Sequence, residues 1–213
     1  MKNLIKYCLM AAFMFAAFSS NAFADMKLPA PQTSGGMGLF DALDRRSSVA
    51  GGDFSTAPIT NEELSTVLWA ATGLNRGGKG WTVPMAKGQE PYCNVYVAGE
   101  NGVFLYDWKE HALKEISAEN IKAKIGVQSF VKKAYYSLIF VSDAKRLEYF
   151  NNSEKASRFA EVAVGAMTQD VYLAAAALNL GTRYIHSVNA DEIRRALKLP
   201  EGDRPIALML LGK

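Results

Sequence analysis

Two arginines and a serine at positions 45–47 have side chains suited to holding a phosphate group. Arg45, Arg46 and Ser47 end a short segment in which acids come early and arginines late. The planar guanidinium of arginine combines a fixed positive charge with several donors, and the Ser47 hydroxyl adds one more. The same order of charges also suits the dipole of a helix that ends near Ser47. Taken alone, the segment leaves a phosphate site and an ordinary helix end both open.

Two further runs of residues could line a ligand site. The run Trp69-Ala70-Ala71-Thr72-Gly73-Leu74-Asn75-Arg76 leads through a glycine-rich, basic loop into Thr82-Val83-Pro84-Met85-Ala86. Further along, Gln128 precedes an apolar strand and His186-Ser187 follows another. Cys93 has no histidine near it in sequence, so neither a catalytic cysteine nor a zinc site is indicated.

In this order and spacing, these segments resemble the nitroreductase-like flavin enzymes, and in particular a branch near the azole-forming peptide dehydrogenases. In that branch a helix ending in Trp-Ala-Ala-x-Gly-x-Asn-Arg leads through a Gly-Lys loop into Thr-x-Pro-Ser-Ala and the first strand. The hairpin at 94–107, Gln128 and the helix around Gly165 continue the resemblance. The likeness extends from about Leu39 to Gly212.

The resemblance implies FMN bound at the interface of a homodimer, with both subunits contributing to each site. Arg45, Arg46 and Ser47 match the phosphate and ribityl contacts of the family. Pro84-Met85-Ala86 match a turn that lies against the flavin ring, and Gln128 matches a polar contact to the ring. His186-Ser187 match the segment whose backbone N–H groups approach flavin N5 and O4.

The activity implied by the resemblance is that of a nitroreductase-like NAD(P)H oxidoreductase. Hydride passes from NAD(P)H to the flavin and then to a small acceptor such as a nitroaromatic or a quinone. The cofactor carries the chemistry and the protein positions it, so no catalytic side chain and no metal are required.

Four positions depart from the family pattern, one of them Asp170, where the helix usually carries asparagine. Val49 stands where a cation usually stabilises the reduced flavin. Met85 replaces a serine, and Gly88 replaces an asparagine. Arg76, Lys79 and Lys87 are candidates for the missing charge. An alternative function therefore stays open, namely a protein of the same fold that binds flavin or another small ligand without redox turnover.

The elements that position these residues indicate one α+β domain over 39–213, with a central, mainly antiparallel sheet flanked by helices. Thr60 and Glu63 form a capping-box pattern, and Asn101-Gly102 is typical of a hairpin turn. Residues 25–38, rich in Pro, Gly and Ser, are expected to form an extended arm that does not pack. The predicted helices are 39–47, 61–72, 118–125, 153–178 and 190–197, and the predicted strands are 94–107 (a hairpin), 135–142, 184–188 and 206–211, the last at the centre of the sheet.

The first 24 residues have the pattern of a secretory signal peptide. Two lysines precede an apolar run that is too short for a membrane span, and Ala22-Phe23-Ala24 provides the small residues of a cleavage site. Cleavage leaves 189 residues with 22 basic and 21 acidic side chains. This near-neutral balance argues against nucleic acid or an anionic membrane as partner. We therefore expect an exported protein, periplasmic or secreted, that acts on a small molecule.

Overall fold

The computed structural model describes residues 25–213, so the predicted signal peptide at 1–24 lies outside the described residues. Seven strands form one sheet in the order β1-β6-β5-β4-β7-β9-β8, and every neighbouring pair is antiparallel. The predicted α+β class with a mainly antiparallel sheet is confirmed. The strands of this sheet are β1 Met26–Lys27, β4 Cys93–Gly99, β5 Gly102–Asp107, β6 Ala112–Ser117, β7 Tyr136–Ser142, β8 Gly181–Ile185 and β9 Arg204–Gly212. The two short strands β2 Leu74–Asn75 and β3 Gly80–Trp81 lie outside it. The helices are α1 Leu39–Arg45, α2 Asn61–Thr72, α3 Ala144–Leu147, α4 Ser153–Ala177 and α5 Ala190–Leu197.

Both faces of the sheet are covered, which explains why its inner strands are apolar at nearly every position. Leu138 and Phe140 of β7 belong to the core shared with α2 and α4, whereas Ile139 and Val141 belong to the core shared with α5. The final strand, β9, alternates in the same way. It lies between β7 and β8, one strand from the edge, so the prediction of a central position for it was wrong.

Local signals set the limits of α2. Thr60 Oγ1 accepts a hydrogen bond from Glu63 N at 3.2 Å, and Glu63 Oε2 accepts one from Thr60 N at 2.8 Å. This is the capping box that the sequence predicts. Gly73 ends the helix with its N–H bonded to Trp69 O, at a point where a Cβ would lie 2.3 Å from the Trp69 ring. The Trp69–Gly73 part of the motif is therefore a helix end that only glycine fits.

Two secondary-structure predictions were wrong in the second half of the sheet. Residues 118–125 form turns rather than a helix, and the strand β6 before them was not predicted. Ile121 and Ile125 are both buried, which imitates helical spacing, but they anchor a loop held by Lys122 Nζ, which donates to Ala134 O at 2.9 Å. The strand predicted at 184–188 is observed as β8, Gly181–Ile185, which begins three residues earlier because Gly181 already pairs with Gly212.

The N-terminal arm is extended as expected, but it is packed. Its residues Met26 and Lys27 pair with β6, and Leu28 is buried and donates its N–H to His111 O at 3.1 Å. The Pro29 carbonyl accepts a hydrogen bond from Ser65 Oγ at 2.6 Å. The expectation of an unpacked arm fails because β6, which was not predicted, offers an edge that the arm covers. Within residues 25–213, no helix has the length and apolarity needed to cross a membrane.

Candidate functional site

Tyr172 of α4 organises the predicted phosphate-binding segment. The guanidinium carbon of Arg46 lies 4.9 Å from the centre of the Tyr172 ring, close enough for a cation–π contact. The Tyr172 hydroxyl accepts the Tyr184 N–H at 2.9 Å and lies 2.7 Å from Ser48 Oγ. Because the hydroxyl accepts from the backbone, it is free to donate to Ser48. The backbone after α1 is thereby fixed while Arg45 and Ser47 stay exposed.

Val49 attaches the same segment to the edge strand β8. Its N–H donates to Thr182 O at 3.0 Å, and its carbonyl accepts from Arg183 Nη1 at 2.7 Å. A Cβ on Gly181 would lie 2.7 Å from the Val49 side chain, so glycine permits this close approach. Valine at position 49 places no positive charge in the turn, but the guanidinium of Arg183 from β8 lies beside it. Arg76 was one candidate for the missing positive charge, but its side chain lies against Gly80. A Cβ added to Gly80 would lie 1.7 Å from Arg76 Nη2.

Gln128 and the segment after β8 come together at the same edge of the sheet. Gly126 and Val188 form an antiparallel bridge, and Val127 N donates to Ser187 O at 3.2 Å. The Gln128 Oε1 atom is buried and has no hydrogen-bond partner in the part of the chain that the structure describes. A buried amide oxygen without a partner is costly, which makes it a candidate ligand contact.

His186 and Arg183 complete this edge. His186 and Ser187 are both exposed, and His186 Nδ1 lies 3.5 Å from the Tyr184 hydroxyl, at the limit of a hydrogen bond. The Arg183 guanidinium lies 5.2 Å from the ring centre of Phe130, which follows Gln128. The turn at 45–47, Gln128 and His186-Ser187 therefore lie along one edge of the sheet, linked through the contacts of their neighbours Val49 and Phe130 with Arg183. We refer to these residues, with Arg183, as the β8-edge site.

The Pro84-Met85-Ala86 turn lies elsewhere in the chain. Met85 is buried and Pro84 is exposed. Ala86 lines a cavity of about 370 Å³ together with Tyr149, Phe150, Asn151, Lys155 and Phe159. Phe159 precedes Tyr172 by 13 residues of one helix, which corresponds to roughly 20 Å at 1.5 Å per residue. One chain alone does not bring this turn to the β8-edge site.

Cys93 and the pair Ser65–His111 could suggest nucleophilic chemistry, but both have structural explanations. Burial raises the pKa of the Cys93 thiol to about 12, so it is not a nucleophile at neutral pH. Ser65 Oγ lies 2.7 Å from His111 Nε2, an arrangement that resembles a nucleophile and its base. However, Ser65 is fully buried and its hydroxyl donates to Pro29 O, so this pair attaches the arm. Among residues 25–213, no group of three or more His, Cys, Asp or Glu side chains is placed to hold a metal ion.

Three side chains in or next to the β8-edge site were not identified from the sequence. Tyr172, Tyr184 and Arg183 act through contacts with residues that lie up to 134 positions away. The Tyr and Arg at 183–184 are unremarkable in sequence, because tyrosine is common in strands and arginine on surfaces. Only the pairing of residues 48 and 49 with α4 and β8 gives them a role.

A seven-stranded antiparallel sheet, covered by helices on both faces and with a cationic turn at one edge, defines this molecule as an α+β protein of the nitroreductase fold. The chain belongs to the nitroreductase family, whose model matches residues 43–213. The family resemblance expected from the sequence is confirmed at this level.

Individual relatives agree with this assignment. A Methanocaldococcus jannaschii protein assigned as a nitroreductase is 33% identical over 186 residues, which cover 82% of this chain and 90% of that protein. A crystal structure of a Ralstonia eutropha protein with the same assignment has a TM-score of 0.83 at 31% identity, covering 91% of this chain and 90% of that one. One from Anabaena variabilis has a TM-score of 0.72 at 20% identity, covering 90% of this chain and 42% of that one, and it shows the fold alone.

Proposed function

We propose that this protein is an exported, homodimeric, FMN-dependent oxidoreductase that passes hydride from NAD(P)H, through the flavin, to a small acceptor such as a nitroaromatic or a quinone. Proteins of the nitroreductase family generally use FMN with NAD(P)H. The observation that carries the proposal is Arg183, which contacts both Val49 beside the cationic turn and Phe130 beside the buried, unpaired amide of Gln128. The finer placement near the azole-forming dehydrogenases is part of the same proposal.

The residues present at the β8-edge site fit FMN. Arg45 and Arg46 make no ion pair within the described residues, so both guanidiniums are available to a phosphate. Ser47 is exposed beside them and can donate a further hydrogen bond. The buried Gln128 Oε1 can accept a hydrogen bond from a ring N–H. When bound, FMN supplies the two-electron hydride chemistry, and the protein holds and tunes it.

Arg183 provides positive charge at the position that Val49 leaves neutral. Its guanidinium contacts the Val49 carbonyl at 2.7 Å and the face of Phe130. A fixed cation in a partly buried site favours a nearby anion. We propose that Arg183 replaces the cation that the family usually carries in the turn.

A second copy of the chain would bring Pro84-Met85-Ala86 to the β8-edge site. The helix α1 presents an apolar face to solvent, with Leu39 61% and Phe40 83% exposed, and Val162 of α4 is 67% exposed. Large apolar side chains grouped on a surface mark an interaction site. A homodimer buries this face and supplies the ring-contacting turn from the partner.

An absorbance spectrum and an FMN titration of the mature protein test the proposal. We expect flavin absorbance in the purified protein and micromolar or tighter quenching of FMN fluorescence. Arg46→Ala should weaken FMN binding by about ten-fold or more, the loss of one charge-assisted contact. Arg158→Ala, on the exposed face of α4, is the matched control and should bind as the wild type does. No flavin binding in the wild type would end the proposal.

The alternative function is a flavin-binding or small-ligand-binding protein of the same fold without redox turnover. Val49, Met85 and Gly88, which depart from the family pattern, favour it. NAD(P)H oxidation that depends on added quinone or nitroaromatic would eliminate this alternative. FMN binding without such oxidation would support it.

Export rests on the N-terminal sequence pattern. The segment 1–24 carries no paired arginines, so it matches a signal for unfolded translocation, and FMN would then be acquired after transport. N-terminal sequencing of the protein isolated from its own cells is the test. A mature chain beginning at Asp25 supports export, and an intact Met1 in the cytoplasmic fraction contradicts it.

A further inference from the structure

A cluster of aromatic rings stands between α3 and the first turns of α4. The rings of Phe150 and Phe159 are stacked, with centroids 4.4 Å apart and planes at 11°. Tyr149 and Tyr92 each meet Phe150 edge-on, with centroid distances of 5.5 and 5.8 Å. Rings that pack against one another in both stacked and edge-on geometry restrain each other's rotation. The cluster is therefore a preformed apolar wall.

This wall faces the Pro84-Met85-Ala86 turn across the cavity of about 370 Å³. The volume lies within the range of sites that take small organic molecules, roughly 300 to 1,000 Å³. Ala86 on one side, and Tyr149, Phe150 and Phe159 on the other, leave a space lined by π-faces and ring edges. Such a lining favours a planar aromatic ligand over an aliphatic one.

Lys155 gives the cavity a positive charge. It lines this cavity and the neighbouring one of about 580 Å³, is exposed, and forms no ion pair with any residue of the described chain. The nearby Arg158 is neutralised, because its Nη2 lies 3.0 Å from Glu154 Oε1. None of the described residues that line the 370 Å³ cavity carries a carboxylate. Among the described residues, the cavity therefore combines aromatic surface with the ammonium group of Lys155, which has no ion-pair partner there.

We propose that this cavity binds the electron acceptor, and that the acceptor is an aromatic compound carrying an anionic group such as a carboxylate, with Lys155 contacting that group. The inference rests on the proposed function, in which the Pro84–Ala86 turn of one subunit lies against the flavin of the other. A ring held between the aromatic wall and this turn lies next to the cofactor. A nitro group that takes up the hydride and one proton from water loses one oxygen as water and becomes a nitroso group, whereas a quinone takes up the same hydride and proton and keeps both oxygens. The anionic group of the acceptor lies at the solvent-exposed rim, at Lys155.

The test compares two acceptors of nearly equal shape, 4-nitrobenzoate and 4-nitrobenzamide, in the FMN-loaded protein. An exposed charge pair contributes modestly, so we expect wild-type kcat/KM to favour the anion by about two- to five-fold at low salt. The preference should fall toward one in about 0.5 M NaCl, where the Debye length is only a few ångströms. Lys155→Gln should bring the ratio near one. Lys145→Gln, an exposed lysine of α3 outside this cavity, should keep the wild-type ratio.

A binding measurement without turnover completes the test. Calorimetric titration of the oxidised holoprotein with benzoate and with benzamide should show the same preference and its loss in Lys155→Gln. Equal kcat/KM for the two acceptors in the wild type would overturn the inference but would not contradict the proposed oxidoreductase activity. A Lys155→Gln protein that loses FMN would also overturn it, because the cavity would then hold the cofactor. Absence of turnover with either acceptor, together with absence of FMN binding, would refute the proposed function instead.

Discussion

At the scale of single residues, Tyr172 connects three parts of the chain through one hydroxyl. It accepts the backbone N–H of Tyr184 and contacts Ser48 Oγ, and its ring supports Arg46. Tyr172→Phe keeps the ring but leaves the Tyr184 N–H without its partner. We expect a loss of about 1 to 2 kcal/mol in the free energy of unfolding and a several-fold weaker affinity for FMN. Urea unfolding and FMN titration measure the two effects.

The control for this variant is Tyr135→Phe, whose hydroxyl makes no hydrogen bond with the described residues. It should change neither quantity by much. Unchanged stability and unchanged affinity in Tyr172→Phe would show that the turn after α1 is held by other contacts.

In the proposed site, Arg183 supplies the cation that Val49 lacks. Replacing Arg183 with Gln removes the cation and keeps a donor, so the reduced, more negative form of the bound flavin should lose stabilisation. A loss of about 1 kcal/mol corresponds to a reduction potential more negative by roughly 20 mV for a two-electron couple. Potentiometric titration of the holoprotein measures this shift. An unchanged potential, with Arg158→Gln as the matched surface control, would contradict the role given to Arg183.

Asp170 of α4 carries a pH dependence. Burial raises the pKa of its carboxyl to about 6, and it has no hydrogen-bond or ion-pair partner in the described residues. Because burial disfavours the ionised carboxyl, Asp170 lowers the free energy of unfolding at pH values above its pKa in the folded protein. This destabilisation disappears as the pH falls toward the ordinary pKa of 3.8, where the carboxyl is protonated in the folded protein. The contribution of Asp170 to the free energy of unfolding should therefore become less favourable as the pH rises from about 4 to 6.

Asp170→Asn separates this effect from other titrations. The variant should be more stable than the wild type by about 1 kcal/mol at pH 7, after allowance for partial solvent exposure, and nearly equal to it at pH 4. Thermal unfolding at the two pH values measures the difference, with the exposed Asp53→Asn as control. A variant less stable than the wild type at pH 7 would mean that the carboxylate has a stabilising partner in the assembled protein.

At the scale of elements, local signals determined what the sequence could predict. The helix α5 has the predicted limits, Ala190 to Leu197, and α2 begins at its capping box. Both helices depend on residues within a few positions of each other. The packed arm depends on pairing with β6, more than 80 positions away, whereas β6 forms a local hairpin with β5 that the prediction missed. Residues 118–125 imitate a helix because their two isoleucines are buried for another reason.

The same distinction applies to the candidate site. The cationic turn and Gln128 were recognisable as an ordered set, but the sequence gives no local sign that Arg183 contacts Val49 across 134 positions. Long-range pairing of β8 with β9 fixes that contact. Single-sequence reasoning therefore predicted a phosphate-binding segment, which stays a prediction, and missed the residues that hold that segment in place.

The capping box of α2 offers a direct test at this scale. Thr60→Ala removes the acceptor for the Glu63 N–H, and we expect a loss of about 1 kcal/mol in the free energy of unfolding. Thr60→Ser retains the hydroxyl and should retain most of the stability. Equal losses in both variants, measured by urea unfolding, would assign the effect to the Thr60 methyl group and not to the cap.

At the scale of the whole molecule, the two halves of the proposed flavin site lie at opposite ends of α4, and the exposed apolar face of α1 lies near one of them. The interface and the cofactor site are then a single structure, so a change that separates the subunits should also release the flavin. Phe40→Glu places a charge at the most exposed of the α1 apolar residues, 83% accessible in the single chain, where burial against a partner would be costly. We expect light scattering to show a monomer and gel filtration to show the loss of flavin absorbance from the protein peak. Lys198→Gln, at the exposed end of α5, lowers the charge by the same one unit away from that face and should leave both the dimer and its flavin intact. A Phe40→Glu monomer that retains FMN at wild-type affinity would show that one chain completes the site alone, and the turn at Pro84 would then lose its proposed role.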